Sequence, residues 1–156
     1  MPNPPATSAT AALDAAEVAY RMVHHGHVSS AEEAAEKRGI PIGALAKTLV
    51  IRIAEGEYVL VLVPGNKGLD YPKLRAHLGT RRLSMPSPDE AKEATGYARG
   101  TITPLGAGGW PVILDESFGA HPEISLGAGV GEWAIHLSPA DLVKATNATL
   151  ADIADS

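Results

Sequence analysis

Two runs rich in Val, Ile and Leu, Thr48–Ile53 and Tyr58–Val63, stand only four residues apart, joined by Ala54-Glu55-Gly56-Glu57. Runs this short and this rich in branched side chains form strands, and so short a link returns the chain antiparallel to itself. The pair is therefore a hairpin of buried strands, and the rest of the chain has to supply the layers that cover it.

The 156 residues suffice for one domain with one core, since single cores usually serve about 100–200 residues. A hydrophobic fraction of 45% with 20% charged residues is that of a folded chain rather than a disordered one. No stretch reaches the roughly 20 apolar residues that span a bilayer, so no membrane partner is expected. The absence of Cys removes disulfides, iron–sulfur clusters, thiolate zinc sites and a Cys nucleophile. The polar, Pro-rich start is no signal peptide, which makes a cytoplasmic location the expectation. Residues 1–10 read as a mobile leader, 11–146 as one domain and 147–156 as an acidic tail.

Helix signals frame the hairpin. Leu13, Ala16, Tyr20 and Val23 fall at helical offsets and predict a first helix over Ala11–His25, stopped by Gly26. Ser30 with Glu33 is a capping pattern that opens a helix over Ala31–Arg38, closed by Gly39 and Pro41. Asp70 opens a third helix that Gly79 closes, Ser87-Pro88-Asp89-Glu90 opens a fourth that Gly96 closes, and Ser138-Pro139-Ala140-Asp141 opens a last one. Arg81–Met85, Pro111–Leu114, Glu123–Leu126 and Glu132–Leu137 read as short strands. The order is irregular, which predicts an α+β (mixed α/β) domain with a mixed, mainly antiparallel sheet or partial barrel flanked by helices, and not a doubly wound dinucleotide fold.

The most unusual segment follows the fourth helix: Gly96-Tyr97-Ala98-Arg99-Gly100-Thr101-Ile102-Thr103-Pro104-Leu105-Gly106-Ala107-Gly108-Gly109, with five Gly in fourteen residues. Read alone, it is either a rigid loop offering N–H donors to a carbonyl or a plain connector between helix and strand. It is neither a P-loop nor a dinucleotide fingerprint. Lys47, at the entry to an apolar strand, either offers a fixed positive charge to an anion or carbonyl, or snorkels into water. His24, His25 and His27 lack carboxylate partners at ligand spacing, so no metal is expected. His121 and His136 have no Ser and Asp that would complete a triad. Asp115 reads as the cap of a turn through Glu116 and Ser117. Trp110 and Trp133 read as core or interface rather than base-stacking platforms.

In combination these pieces resemble a known family. Ala34-Ala35-Glu36-Lys37-Arg38-Gly39-Ile40, Ala46-Lys47-Thr48-Leu49-Val50, the run Thr95 to Gly106 and Ser138-Pro139-Ala140-Asp141-Leu142, in that order, resemble the YbaK/EbsC family, which includes the editing domain inserted in bacterial prolyl-tRNA synthetases. The likeness runs from about Gly26 to Ala145. It implies a free-standing trans-editing hydrolase, a metal-independent and cofactor-free deacylase that cuts the ester between a wrong amino acid and the terminal adenosine of its tRNA. The partners implied are the aminoacyl-tRNA acceptor end and an aminoacyl-tRNA synthetase. In that reading Lys47, Gly100, Thr101 and Pro104 carry catalysis. The lysine orients the terminal nucleotide or phosphate, and the loop backbone holds the aminoacyl carbonyl. Attack comes from water or from a group of the substrate itself. Thr48, Thr103, Gly127 and Gly129 would bind substrate, and Arg81, Arg82 and Arg99 the tRNA.

The segment Gly127-Ala128-Gly129-Val130-Gly131-Glu132 lacks the serine and the basic residue that relatives often carry there. The Gly100-Thr101-Ile102-Thr103-Pro104 loop, by contrast, resembles the form seen in Cys-tRNA(Pro) deacylases, which makes Cys-tRNA(Pro) the first substrate expected, with Ser, Thr or Ala esters next, and a non-catalytic binding module or a small-ester hydrolase as alternatives. A synthetase pocket discriminates one methylene by only about 1–3 kcal/mol, which is why such second hydrolytic sites exist. The net charge of −5 argues against a general duplex binder. It is unevenly spread, however: Lys67 to Arg99 holds seven basic and four acidic residues, a balance of +3 that leaves −8 for the remainder. A local contact with an acceptor end fits that distribution.

Overall fold

The computed structural model describes residues 3–155. Seven strands, β1 (Arg21–His24), β2 (Ala46–Ala54), β3 (Glu57–Pro64), β4 (Val112–Asp115), β5 (Ile124–Gly127), β6 (Trp133–Leu137) and β7 (Thr149–Ala151), form two sheets. One has the order β1-β6-β5 and is antiparallel throughout. The other has the order β2-β3-β4-β7, with β2 antiparallel to β3 and the remaining pairs parallel. A single parallel bridge, Leu45 to Ser125, stitches the two sheets together where β2 meets β5. The result is an α+β domain with one antiparallel and one mixed sheet.

The hairpin occupies the middle, as its composition requires. Leu60 and Leu62 of β3 face a large core shared with Leu114, Ile124, Leu126, Ile135 and Phe118, while Val59, Val61 and Val63 face a second core with Ile51, Leu74, Ile113 and Ile153. Helices α1 (Ser8–Ala16) and α5 (Pro139–Thr146) cover the first core through Leu13 and Leu142, and α3 (Tyr71–Leu78) covers the second through Leu74. Helices α2 (Ala31–Arg38) and α4 (Pro88–Thr95) complete the set. Four caps act as their residues predict: the side chains of Ser30, Asp70, Ser87 and Ser138 accept from the N–H groups of Glu33, Lys73, Glu90 and Asp141.

Three boundaries differ from the sequence reading. The helix expected over Ala11–His25 is two elements, because Glu17 takes a left-handed conformation (φ 57°) and ends α1, after which Arg21–His24 pairs with β6. A non-glycine cap carries no clear sequence signal, and β1 exists only through its partner strand. Ser8, Ala9 and Thr10, read as the end of a leader, lie in α1, with Ala9 and Thr10 buried; Met1 and Pro2 lie outside the described residues.

The segment read as an acidic tail supplies β7 and then buries Ile153 and Ala154. Asp115 holds it there. Besides capping its turn by accepting from the N–H of Ser117, the Asp115 carboxylate accepts from the N–H groups of Ile153 and Ala154, both at 3.0 Å. Burial pushes its pKa up, but the Ser117 hydroxyl and these N–H donors together outweigh that and hold it below the ordinary aspartate value. Arg81–Met85 forms no strand, only one bridge between Ser84 and Arg52. Trp110 and Trp133 both pack against the large core, Trp110 also donating to the Ala94 carbonyl at 2.8 Å.

Candidate active-site cleft

Between the bridge at Leu45, just before β2, and the bridge at Arg52, the outer edge of β2 has no hydrogen-bonded strand among the described residues. Arg52 turns both its N–H and its C=O away from β3, onto Ser84. By the alternation of an antiparallel ladder Thr48 and Val50 turn theirs the same way, and neither takes a backbone partner there. A cleft of about 600 Å³ lies along this open edge. Leu45 to Val50 form one wall, Met85, Pro86, Pro88 and Ala91 a second, and Arg99, Gly100, Ile102 and Gly127 a third. Arg38 enters from the end of α2.

The structure thus brings Lys47, Thr48, Arg99, Gly100 and Gly127 together. The Lys47 ammonium donates to the Lys67 carbonyl at 2.5 Å, which tethers it beside the loop that follows β3. The Thr48 hydroxyl is buried without a hydrogen-bond partner among the described residues. Three cations, Arg38, Lys47 and Arg99, line the cleft, and none of its lining residues is acidic. Low-dielectric walls lined by one sign of charge concentrate the field inside, so the cleft attracts an anion although the whole chain is acidic.

The glycine-rich loop is built as a rigid backbone surface. Gly100 is left-handed (φ 87°), and the next residue folds back on Ala98: both the N–H and the hydroxyl of Thr101 donate to the Ala98 carbonyl, at 3.0 and 2.7 Å. That leaves Thr101 with no N–H to offer a ligand, whereas the N–H groups of Gly100 and Ile102 have no partner among the described residues. Ile102, which the sequence reading passed over, lines the cleft. Thr103 and Pro104 are buried beneath the loop and do not reach the cleft.

Behind the loop, β5 presses against it. A Cβ on Gly127 would stand 2.8 Å from the Ile102 carbonyl oxygen, so only glycine allows this approach. Gly129 serves the same support rather than the cleft, its N–H donating to the Thr101 carbonyl at 3.1 Å. The N-terminal residues brace the far side, with the Thr7 hydroxyl donating to the Ala128 carbonyl at 2.9 Å.

Arg81 and Arg82 lie elsewhere. They are exposed in a separate groove with Arg52, Glu55 and Ser84, on the outer side of the hairpin end. Arg38, present in the sequence reading only as part of a motif, is a cleft residue to which that reading gave no role. As a basic residue in the last turn of a helix it reads as a complement to the helix dipole, and nothing local signals that it turns inward.

Among the described residues no group of three or more His, Asp or Glu could hold a metal, and no helix is long and apolar enough to cross a membrane. Residues 25–145 match the family described as Aminoacyl-tRNA editing domain. The chain is 35% identical over 104 residues to the proline–tRNA ligase of Thermosipho melanesiensis, a match covering 67% of the chain and 18% of that enzyme. The chain therefore spans less than a fifth of the length of such synthetases. It is 34% identical over 125 residues to EbsC of Enterococcus faecalis, described as a candidate Cys-tRNA(Pro)/Cys-tRNA(Cys) deacylase, covering 80% of the chain and 76% of EbsC. A crystal structure of a candidate trans-editing enzyme for prolyl-tRNA synthetase superposes with a TM-score of 0.82 at 28% identity, over 98% of this chain and 100% of that one.

Proposed function

Because the chain belongs to the aminoacyl-tRNA editing domain family, we propose that its cleft hydrolyses the ester joining a wrongly attached amino acid to the terminal adenosine of a tRNA, with Cys-tRNA(Pro) the first substrate to test. The observation that carries this reading is the meeting, in one apolar cleft, of three cations with the unpaired loop N–H groups of Gly100 and Ile102. An acceptor end presents an anionic phosphate and an ester carbonyl a few bonds apart, and these are the two kinds of partner the cleft provides.

In this reading the loop N–H groups donate to the carbonyl oxygen as it gains negative charge. A single preorganised donor of this type is worth about 3–4 kcal/mol. Lys47 and Arg99 hold the terminal nucleotide so that the ester faces the loop, and orientation supplies a further part of the acceleration. The attacking group is a water or a nucleophile of the substrate itself, such as a ribose hydroxyl or the cysteine thiol. Thr48 lies where it would contact the substrate, and Arg81 and Arg82 would meet the tRNA farther along. A synthetase that charges the same tRNA is the partner this activity would serve, and the likeness to EbsC supports the Cys ester.

A panel of mischarged tRNAs, incubated with the parent protein and with Lys47→Ala, tests the proposal. Hydrolysis of at least one member is expected, and Lys47→Ala should lower kcat/KM by roughly tenfold to 100-fold, the usual worth of one charged hydrogen bond. No hydrolysis of any member by the parent would overturn it.

A further inference from the structure

The two basic residues that end α2 have opposite fates. Lys37 turns outward, donating to the His27 carbonyl at 2.9 Å and pairing with Glu33 at 3.5 Å. Arg38 turns inward and lines the cleft. Its one hydrogen bond runs from Nη1 to the hydroxyl of Ser125, at 3.3 Å, on fully buried ground in β5. Its Nε is buried with no partner, and no carboxylate of the described residues pairs with the guanidinium.

This is an uncompensated charge in a partly desolvated place. A buried charge without a partner is costly by several kcal/mol, and arginine cannot escape by losing its proton. Its surroundings register the charge. Burial lowers the pKa of His25, and the Arg38 charge lowers it further; His136, held down by burial and by Arg21, also feels Arg38. Glu123, the acid beside His136, is taken up by Arg21 at 2.8 Å and by His136 at 3.4 Å.

With Nη1 tied to Ser125 and Nε sealed from solvent, Nη2, which is neither buried nor paired among the described residues, remains for a ligand. A guanidinium N–H that donates to an oxygen of a phosphate or carboxylate makes a charge-assisted hydrogen bond, roughly twice as strong as a neutral one. On the deacylase reading, the substrate offers few candidates. Its α-ammonium is cationic and would be repelled, its ester and hydroxyls are neutral and would leave the charge uncompensated, and the one anion near the ester is the 5′-phosphodiester of the terminal adenosine. We propose that Arg38 is a phosphate-binding residue of the cleft, taking the 5′-phosphate of the terminal nucleotide through its Nη2 group and so setting how deep the aminoacyl ester reaches toward the Gly100 loop. Ser125 is its positioning residue, fixing the guanidinium from β5.

The proposal rests on the deacylase reading, and a substrate-by-variant comparison separates the two. The parent, Arg38→Gln and Arg38→Lys are assayed on one aminoacyl ester presented in two forms, as the 3′-aminoacyl adenosine without a 5′-phosphate and as the same ester on a CCA oligonucleotide that carries it. Arg38→Gln should lower kcat/KM by about tenfold to 100-fold on the phosphate-bearing form and by less than about threefold on the bare nucleoside, with Arg38→Lys between, because it keeps the charge but carries it on a flexible stem that Ser125 does not fix. Equal loss on both forms would overturn the assignment while leaving deacylation intact. In parallel, adenosine 5′-monophosphate and adenosine are titrated into the parent and Arg38→Gln. A preference for the monophosphate that disappears in Arg38→Gln supports the assignment even if the parent cuts no ester, an outcome that would sink the deacylase reading alone. The absence of any such preference in the parent overturns the assignment. Thermal unfolding of each variant confirms that it is folded.

Discussion

Replacing Gly127 by alanine isolates the contribution of the loop's position. The backbone there is not left-handed, so alanine meets no conformational penalty and the effect is purely one of space. Its new Cβ would stand 2.8 Å from the Ile102 carbonyl oxygen and 3.3 Å from that of Thr101. Ordinary contact begins at 3.4 Å, so β5 and the loop must separate by about 0.6 Å. Both neighbours are backbone, which cannot rotate away as a side chain tip can. Overpacking of this kind costs about 1–3 kcal/mol, or roughly 3–10 °C in Tm for a chain of this length. The same displacement moves the N–H groups of Gly100 and Ile102 relative to Lys47. A misplacement of about 1 Å costs on the order of 100-fold in rate, so a loss of about tenfold to 100-fold in kcat/KM is expected.

The assay is single-turnover deacylation of the best substrate of the tRNA panel, alongside thermal unfolding. Gly131→Ala is the control, since a Cβ there meets nothing within 4 Å and the residue is not left-handed; it should stay within about 0.5 kcal/mol of the parent. If Gly127→Ala unfolds at the parent's Tm and cuts the ester within twofold of the parent's rate, the loop is not held by this approach and the reasoning fails.

Two further outcomes follow from the same structure. Asp115→Asn should destabilise the protein by about 2–3 kcal/mol at neutral pH, because the buried N–H groups of Ile153 and Ala154 lose a charged acceptor. The folded-state pKa of Asp115 lies below the ordinary value, so its contribution is complete above the unfolded pKa of about 4 and is lost as pH falls through the folded value. The gap between parent and variant in urea midpoint should therefore narrow below about pH 4; a gap that stays constant with pH would contradict the assignment. Charge reversal at Arg81 and Arg82 should weaken tRNA binding and flatten its dependence on salt, since each lost phosphate contact removes about 0.7–0.9 from the log–log slope. Unchanged binding would place the tRNA on another face.

The parts legible in the sequence are those settled within a few residues. Ser30, Asp70, Ser87 and Ser138 each accept from an N–H three residues on, and Gly39, Gly79 and Gly96 each take the left-handed turn that ends a helix. These are local hydrogen bonds and local torsions, so the residues that make them lie side by side in the chain. The hairpin is equally plain, because two apolar runs four residues apart can scarcely pair with anything sooner than with each other. That Lys47 and Gly100 would line one cleft followed only from a motif pattern, not from any contact between neighbours in the chain.

Tertiary structure alone decided the rest. Arg21–His24 is a strand only because β6 lies beside it, and Thr149–Ala151 only because β4 and the Asp115 carboxylate receive it. Which loop N–H groups stay unpaired depends on Thr101 spending its own on Ala98, and the loop's position depends on Gly127, twenty-five residues beyond the Ile102 carbonyl it approaches. Arg38 belongs to the cleft because β5 offers it Ser125 from across the fold. Contacts between residues far apart in the chain leave no periodicity and no spacing to read. The sequence by itself determined the hairpin and the capped helices α2 to α5, while the packing of one sheet edge against a loop determined which charges and which N–H groups a substrate would meet.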